Sequence, residues 1–180
     1  MSVTYPMPVD APGIDAAGKG ALYFVPAVRD VKAPTVAELN AGINLSCLVY
    51  SWNPNGSQGK VERTRYCYTN TAESLGRVTY APDAIEYDYD PQKVNDSTGD
   101  YAHVAKLAPG TKGFIVDRRG LPPATQFAAG QILEMVMPVE LGEQMPAVID
   151  PKEEGQKLRY MQSVAVIGDV ARRVAVVAGG

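Results

Sequence analysis

The segment Ala21–Ser46, ALYFVPAVRDVKAPTVAELNAGINLS, constrains this chain most, because it reads as a strand, one short capped helix and a second strand. Ala21 to Val28 is an apolar run rich in aromatic and β-branched residues. Pro26 inside it removes a ladder donor, which predicts a strand at a sheet edge or one carrying a bulge. Pro34 stops the run. Thr35 followed three residues on by Glu38 spells a capping box: the hydroxyl satisfies an orphan N–H of the first turn and the carboxylate reaches back to the cap. Gly42 is expected to close the helix in a left-handed position. A helix of about two turns cannot stand alone, so it must dock on a sheet.

The 180 residues and an apolar share of 46% suffice for one core. The expected organisation is an irregular arm over 1–20, rich in Pro and Gly with Tyr5, Met7 and Val9 available for packing, and one β domain over 21–180. A formal net charge of −3 argues against a surface built to hold nucleic acid, which needs clustered cations. The basic pairs Arg118-Arg119 and Arg172-Arg173 read as solvated or as partners in interface salt bridges. Cys47 and Cys67 lie in strand-like runs and are expected as buried free thiols rather than a staple. The N-terminus shows neither a basic start nor an apolar leader core, and no run reaches membrane-spanning length, so no membrane insertion is expected. The N-x-S triplets at Asn44, Asn55 and Asn95 then carry no meaning as glycan sites.

Leu45–Trp52 and Lys60–Tyr68 are strand candidates, joined as a hairpin by Asn53, Pro54, Asn55, Gly56, Ser57, Gln58 and Gly59, which tolerate positive φ. IEYDYD from Ile85 alternates, with Ile85, Tyr87 and Tyr89 on a buried face and Glu86, Asp88 and Asp90 on an acidic one. Ser97–Leu107 is a second helix candidate, ended by Pro109-Gly110. Thr111–Arg118 returns to strand, and Gln131–Leu141 follows with Pro138 marking a bulge or an edge. Lys157–Gly168 and Ala171–Ala178 form a final pair joined at Gly168-Asp169. Roughly eight strands and two short helices predict a mainly β fold: an antiparallel β-sandwich or barrel with one or two flanking helices.

Chemistry-bearing motifs fail on inspection, so no catalytic, cofactor or metal residue is assigned. Gly13–Gly20 nearly spells a phosphate loop, but Gly20 replaces the magnesium-ligating Ser or Thr and a strand, not a helix, follows. Asp88 and Asp90 open like a calcium loop, but strand-spaced carboxylates about 7 Å apart diverge, and Lys93 stands where Gly is required. His103 is the single histidine, which excludes zinc sites built on paired imidazoles, and no G-x-S-x-G elbow is present. Of the ten tyrosines, Tyr66, Tyr68, Tyr80, Tyr87 and Tyr89 cluster on strand-like segments, as suits either a sandwich core or a protein interface.

VPAVRDVKAPTVAELNAGINLS, the strand end Arg65-Tyr66-Cys67-Tyr68 and YAHVAKLAPGTKGFIVDRRG together resemble the major tail (tail tube) proteins of long-tailed bacterial viruses. Pro34–Gly42 and Thr111–Gly120 are the most telling pieces, and the likeness runs from about Ala21 to Ala178. The resemblance implies a structural virion protein without enzymatic activity or cofactor. Its copies would close in sixes into rings that stack as a tube around a tape-measure protein, meet tail-end proteins and pass viral DNA. It would assemble in the host bacterial cytoplasm and reside in the virion tail, with a non-contractile tail as the family's suggestion. In that setting Asn53–Gly59 is the expected ring-stacking loop, mobile until a neighbouring ring orders it, and Glu86, Asp88 and Asp90 are candidates for an acidic bore. Thr35 and Glu38 remain the helix cap. Two rivals belong to other classes: a small-ligand-binding β-barrel, and a flavin-type split-barrel enzyme.

Overall fold

The computed structural model describes residues 13–148, 152 and 155–179, so the part of the expected arm over 1–12 lies outside the described residues. The fold is mainly β, an antiparallel sheet curled into a half-barrel with two short helices. In chain order the elements are β1 (Gly20–Val25), α1 (Val36–Asn40), β2 (Ile43–Asn44), β3 (Gly56–Arg63), β4 (Ala72–Tyr80), β5 (Ile85–Asp88), α2 (Ala102–Lys106), β6 (Lys112–Arg119), β7 (Ile132–Pro146), β8 (Arg159–Val166) and β9 (Ala171–Ala175). The main sheet runs β2-β1-β6-β7-β8-β5, with β9 also on β7, while β3 and β4 pair only with each other.

Strands β1, β6 and β7 carry apolar residues on both faces because each face meets a helix. One core gathers Leu22, Phe24, Ile115, Met137 and Tyr87 beneath Val104 and Leu107 of the α2 region. The other gathers Tyr23, Val25, Val116 and Val136 beneath Leu39 of α1. Helix α1 carries its cap: Thr35 Oγ1 accepts the Glu38 N–H at 3.3 Å and Glu38 Oε2 accepts the Thr35 N–H at 2.8 Å. Helix α2 has no side-chain cap at its start. Two glutamines hold its other end. Gln144 donates to the carbonyls of Val104 and Leu107, and fully buried Gln162 donates to Leu107 at 2.8 Å while accepting from the Tyr87 hydroxyl.

Several expectations are corrected. Pro26 does not lie inside β1; the strand ends at Val25. Gly42 is not left-handed: a Cβ there would stand 2.8 Å from Val25 Cγ2 and 3.0 Å from the Phe24 carbonyl, so close packing is what requires glycine. Pro138 lies within a central strand, where its carbonyl accepts the Ile167 N–H at 3.1 Å. Its missing donor is tolerated because β8 ends opposite Val139 and β9 begins opposite Val136, leaving no strand on that side of Pro138, while Phe114 of β6 lies opposite it on the other. For the same reason β8 and β9 are not a hairpin but two successive partners of β7.

The expected strand over Leu45–Trp52 is irregular, touching β5 through an isolated bridge between Val49 and Tyr87. The hairpin turn falls at 64–71 rather than Asn53–Gly59: Asn53–Asn55 lead in, and Gly56–Gly59 already belong to β3. Cys47 and Cys67 are exposed free thiols instead of buried ones, since one lies in the irregular stretch and the other in that turn.

Candidate functional site

The β3–β4 hairpin is the part of this fold that its own chain leaves uncovered. Every residue of β3 is exposed and no residue of β4 is buried, and apart from Tyr80 at the root, which packs against the core and is a hydrogen-bond partner of Arg172, its side chains bond within the arm. Ser57 meets Thr79 at 3.0 Å, Gln58 reaches the Gly76 carbonyl at 2.9 Å and Lys60 pairs with Glu73 at 2.7 Å. It is rooted where Asn53 bonds Asp83 and Ala81 donates to the Asn55 carbonyl. Val61, Leu75 and Val78 stand in water along it, and Tyr66 and Tyr68 stand at its tip. Glu62 lies directly opposite Glu73, a like-charge pairing that destabilises a free hairpin. A two-stranded hairpin is marginal in water by itself. The arm holds four cations, Lys60, Arg63, Arg65 and Arg77, against two carboxylates, in a chain whose net charge is −3, so the body is the acidic part. The sequence signal is thin here: GSQGKVER lacks apolar alternation and reads as loop, which hid both β3 and its partner Ala72–Tyr80.

Strand β5 buries Ile85 and Tyr87 and turns Glu86 and Asp88 to the other face. These carboxylates are already matched within the chain. Arg159 pairs with Glu86 at 3.1 Å and Lys157 with Asp88 at 3.2 Å, and Lys93 stands 3.9 Å from Asp90. The Tyr50 hydroxyl donates to Asp88 at 2.5 Å, and that bond to a carboxylate raises the phenol above its ordinary range. The same carboxylate, as hydrogen-bond acceptor, raises the Lys157 ammonium. The strip is therefore close to charge-balanced. The cations that do this come from β8 and from the loops flanking it and β5, not from the Arg118-Arg119 and Arg172-Arg173 pairs.

Those two pairs divide. Arg118 is fully buried with no carboxylate partner; it donates to the Gln131 side chain at 3.2 Å and the Pro122 carbonyl at 2.9 Å, and its guanidinium lies 4.8 Å from the centre of the Phe127 ring. Burial pulls its pKa down, and its role is to pin the β6–β7 loop. Arg119 pairs with Asp117 at 3.0 Å and Arg172 with Glu134 at 2.9 Å.

The remaining chemical candidates stay apart. His103 is buried, with Nε2 2.8 Å from the Asp88 carbonyl oxygen and edge-on to Tyr87. Among the described residues no group of three or more His, Cys, Asp or Glu could hold a metal ion, and no helix is long and apolar enough to cross a membrane. Gly13–Gly20 forms a turn with Gly18 at φ +64 that runs straight into β1. A hollow of about 640 Å³ is an open groove beside β1 bordered by Trp52, Tyr50, Asp15 and Asp117. A family model described as phage tail tube protein matches residues 7–179. No curated protein matches the chain significantly.

Proposed function

The chain belongs to the phage tail tube protein family, and from that premise we propose that its copies close in sixes into rings which stack as the tube of the virion tail. The observation that carries this reading is the β3–β4 arm, a long hairpin whose apolar side chains beyond Tyr80 at its root are exposed, without cover from the body among the described residues. A second copy supplies that cover. Repeated contacts between unlike surfaces close a ring in one direction and extend a filament in the other. The basic arm on an acidic body favours pairing between copies over pairing of like surfaces.

The stacking contact is assigned to the arm together with its root, so that Asn53–Gly59 take part as lead-in and first strand turn rather than as a free loop. The bore is assigned to the Glu86, Asp88 and Asp90 strip. Its matched charges suit a wall that DNA must slide past, because unmatched cations would bind phosphates through counterion release. The tape-measure protein and tail-end proteins are the expected further partners, and assembly is expected in the host bacterial cytoplasm. A ligand-binding barrel would enclose an apolar pocket, whereas the groove beside β1 lies open.

Negative-stain microscopy and light scattering across a concentration series test the proposal. Rings or tubes are expected as concentration rises. A protein that stays monomeric at every concentration and salt would overturn it.

A further inference from the structure

The main sheet leaves unlike surfaces at its two sides. Strand β9 has β7 along one side and no strand along the other among the described residues. Within it Arg173 has φ +53, a left-handed conformation uncommon for a residue with a side chain. The consequence shows in the packing. Ala171, Val174 and Val176 all pack into the core beneath α1, while Arg172 and Arg173 are both exposed, so the kink turns two consecutive arginines outward where a regular strand alternates. Glu134 holds Arg172; the Arg173 guanidinium has no partner among the described residues. Beside them Ile132, in register with Ala175, is 54% exposed.

At the other side, β2 covers only Tyr23 and Phe24 of β1. The groove runs along the rest. Leu22 gives its N–H to Ser46 Oγ at 3.0 Å and accepts the Leu45 N–H at 2.8 Å, so the two-residue alternation turns the backbone groups of Gly20 toward the groove. Two features of the groove lack a counterpart. Ile14 is 71% exposed, and the Asp15 carboxylate accepts only the Ala17 N–H, with no cation on it among the described residues. Lys19 and the Asp117–Arg119 pair complete its rim.

We infer that this groove receives the β9 edge of a second copy of the chain, with Arg173 on Asp15 and Ile132 against Ile14. The inference rests on the self-assembly proposed above and adds which surfaces join. Each β9 need has its complement in the groove: a free strand edge meets unpaired backbone at Gly20, a free cation meets a free carboxylate, and exposed apolar carbon meets the same. Because the two surfaces differ and lie at opposite sides of one sheet, the contact repeats head to tail and covers an edge that would otherwise invite aggregation.

Trp52 is the sole tryptophan, so its emission and acrylamide quenching report on the groove alone. In the natural chain, emission is expected to shift to the blue and quenching to fall as assembly sets in with concentration. Arg173→Asp is expected to raise the concentration needed for assembly about tenfold or more, as like-charge contacts do, and Asp15→Arg in the same chain is expected to restore it. Arg173→Asn, which keeps a side chain tolerant of positive φ, removes only the charge and should weaken assembly less, with an unchanged circular dichroism spectrum. Assembly of Arg173→Asp at the natural concentration, or failure of the charge swap to restore it, overturns the inference while leaving self-assembly standing. A natural chain that never assembles refutes the self-assembly reading itself.

Discussion

Thr35 and Glu38 hold each other through two reciprocal backbone bonds, and Glu38 Oε1 also accepts the Arg29 N–H at 2.9 Å. The Thr35 backbone bond, ahead of the other causes, lowers the Glu38 pKa from its ordinary 4.5. A carboxylate depressed in the folded state adds stability that is present above its unfolded value and lost as pH falls through the folded one. Stability should therefore drop below pH 4.5, modestly because Glu38 is only partly buried and solvent screens its charge. Glu38→Gln should remove that part of the pH dependence in urea titrations. Thr35→Ala should cost about 0.5 to 2 kcal/mol, as N-cap losses do, and an unchanged urea midpoint would show that the cap is dispensable.

Gly113 is a second residue-scale test. A Cβ there would stand 2.5 Å from Phe24 Cζ and 2.8 Å from the Val25 carbonyl oxygen, so Gly113→Ala should cost about 1 to 3 kcal/mol through overpacking. Gly59→Ala, with nothing within 4 Å, is the control and should leave the midpoint nearly unchanged.

At the scale of elements, the arm and the body are separable. Strands β3 and β4 have no strand neighbours besides each other among the described residues, and the Ala81 N–H lies 3.3 Å from the Asn55 carbonyl at the root, so a short Gly-Ser link can replace residues 57–79 while keeping Tyr80, which packs against the core. The excised chain should keep the far-UV spectrum of the body and its urea midpoint while losing tubes in negative stain. Tubes of normal length from it would remove the arm from the stacking contact. Helix α2 shows the opposite dependence. Its five residues hold because Gln144 and Gln162 reach its carbonyls from β7 and β8, partners far along the chain that no local pattern announces.

For the whole molecule, the charge layout decides what passes through the proposed tube. Glu86→Gln, Asp88→Asn and Asp90→Asn together would leave Arg159, Lys157 and Lys93 unmatched. If the strip faces the bore, tubes of this variant should retain DNA at low salt and release it as salt rises, since counterion release sets that binding. Equal DNA retention by variant and natural tubes would place the strip elsewhere.

Local pattern alone determined much of this protein. The capped helix at Thr35, the alternation from Ile85, the strands at β6 and β7 and the likeness to tail tube proteins are all written in short stretches, because each depends on neighbours within a few residues. Only the tertiary structure decided the rest. Gly42 and Gly113 are glycines because another strand comes close, and Pro138 fits a central strand because β8 gives way to β9 beside it. Cys47 and Cys67 reach water because one lies in an irregular stretch and the other in the β3–β4 turn. Arg118 is buried while Arg119 is paired at the surface, two adjacent and identical side chains whose fates depend on which face of β6 each leaves. These outcomes turn on which distant segment arrives, and at what register, and periodicity along the chain carries no record of that.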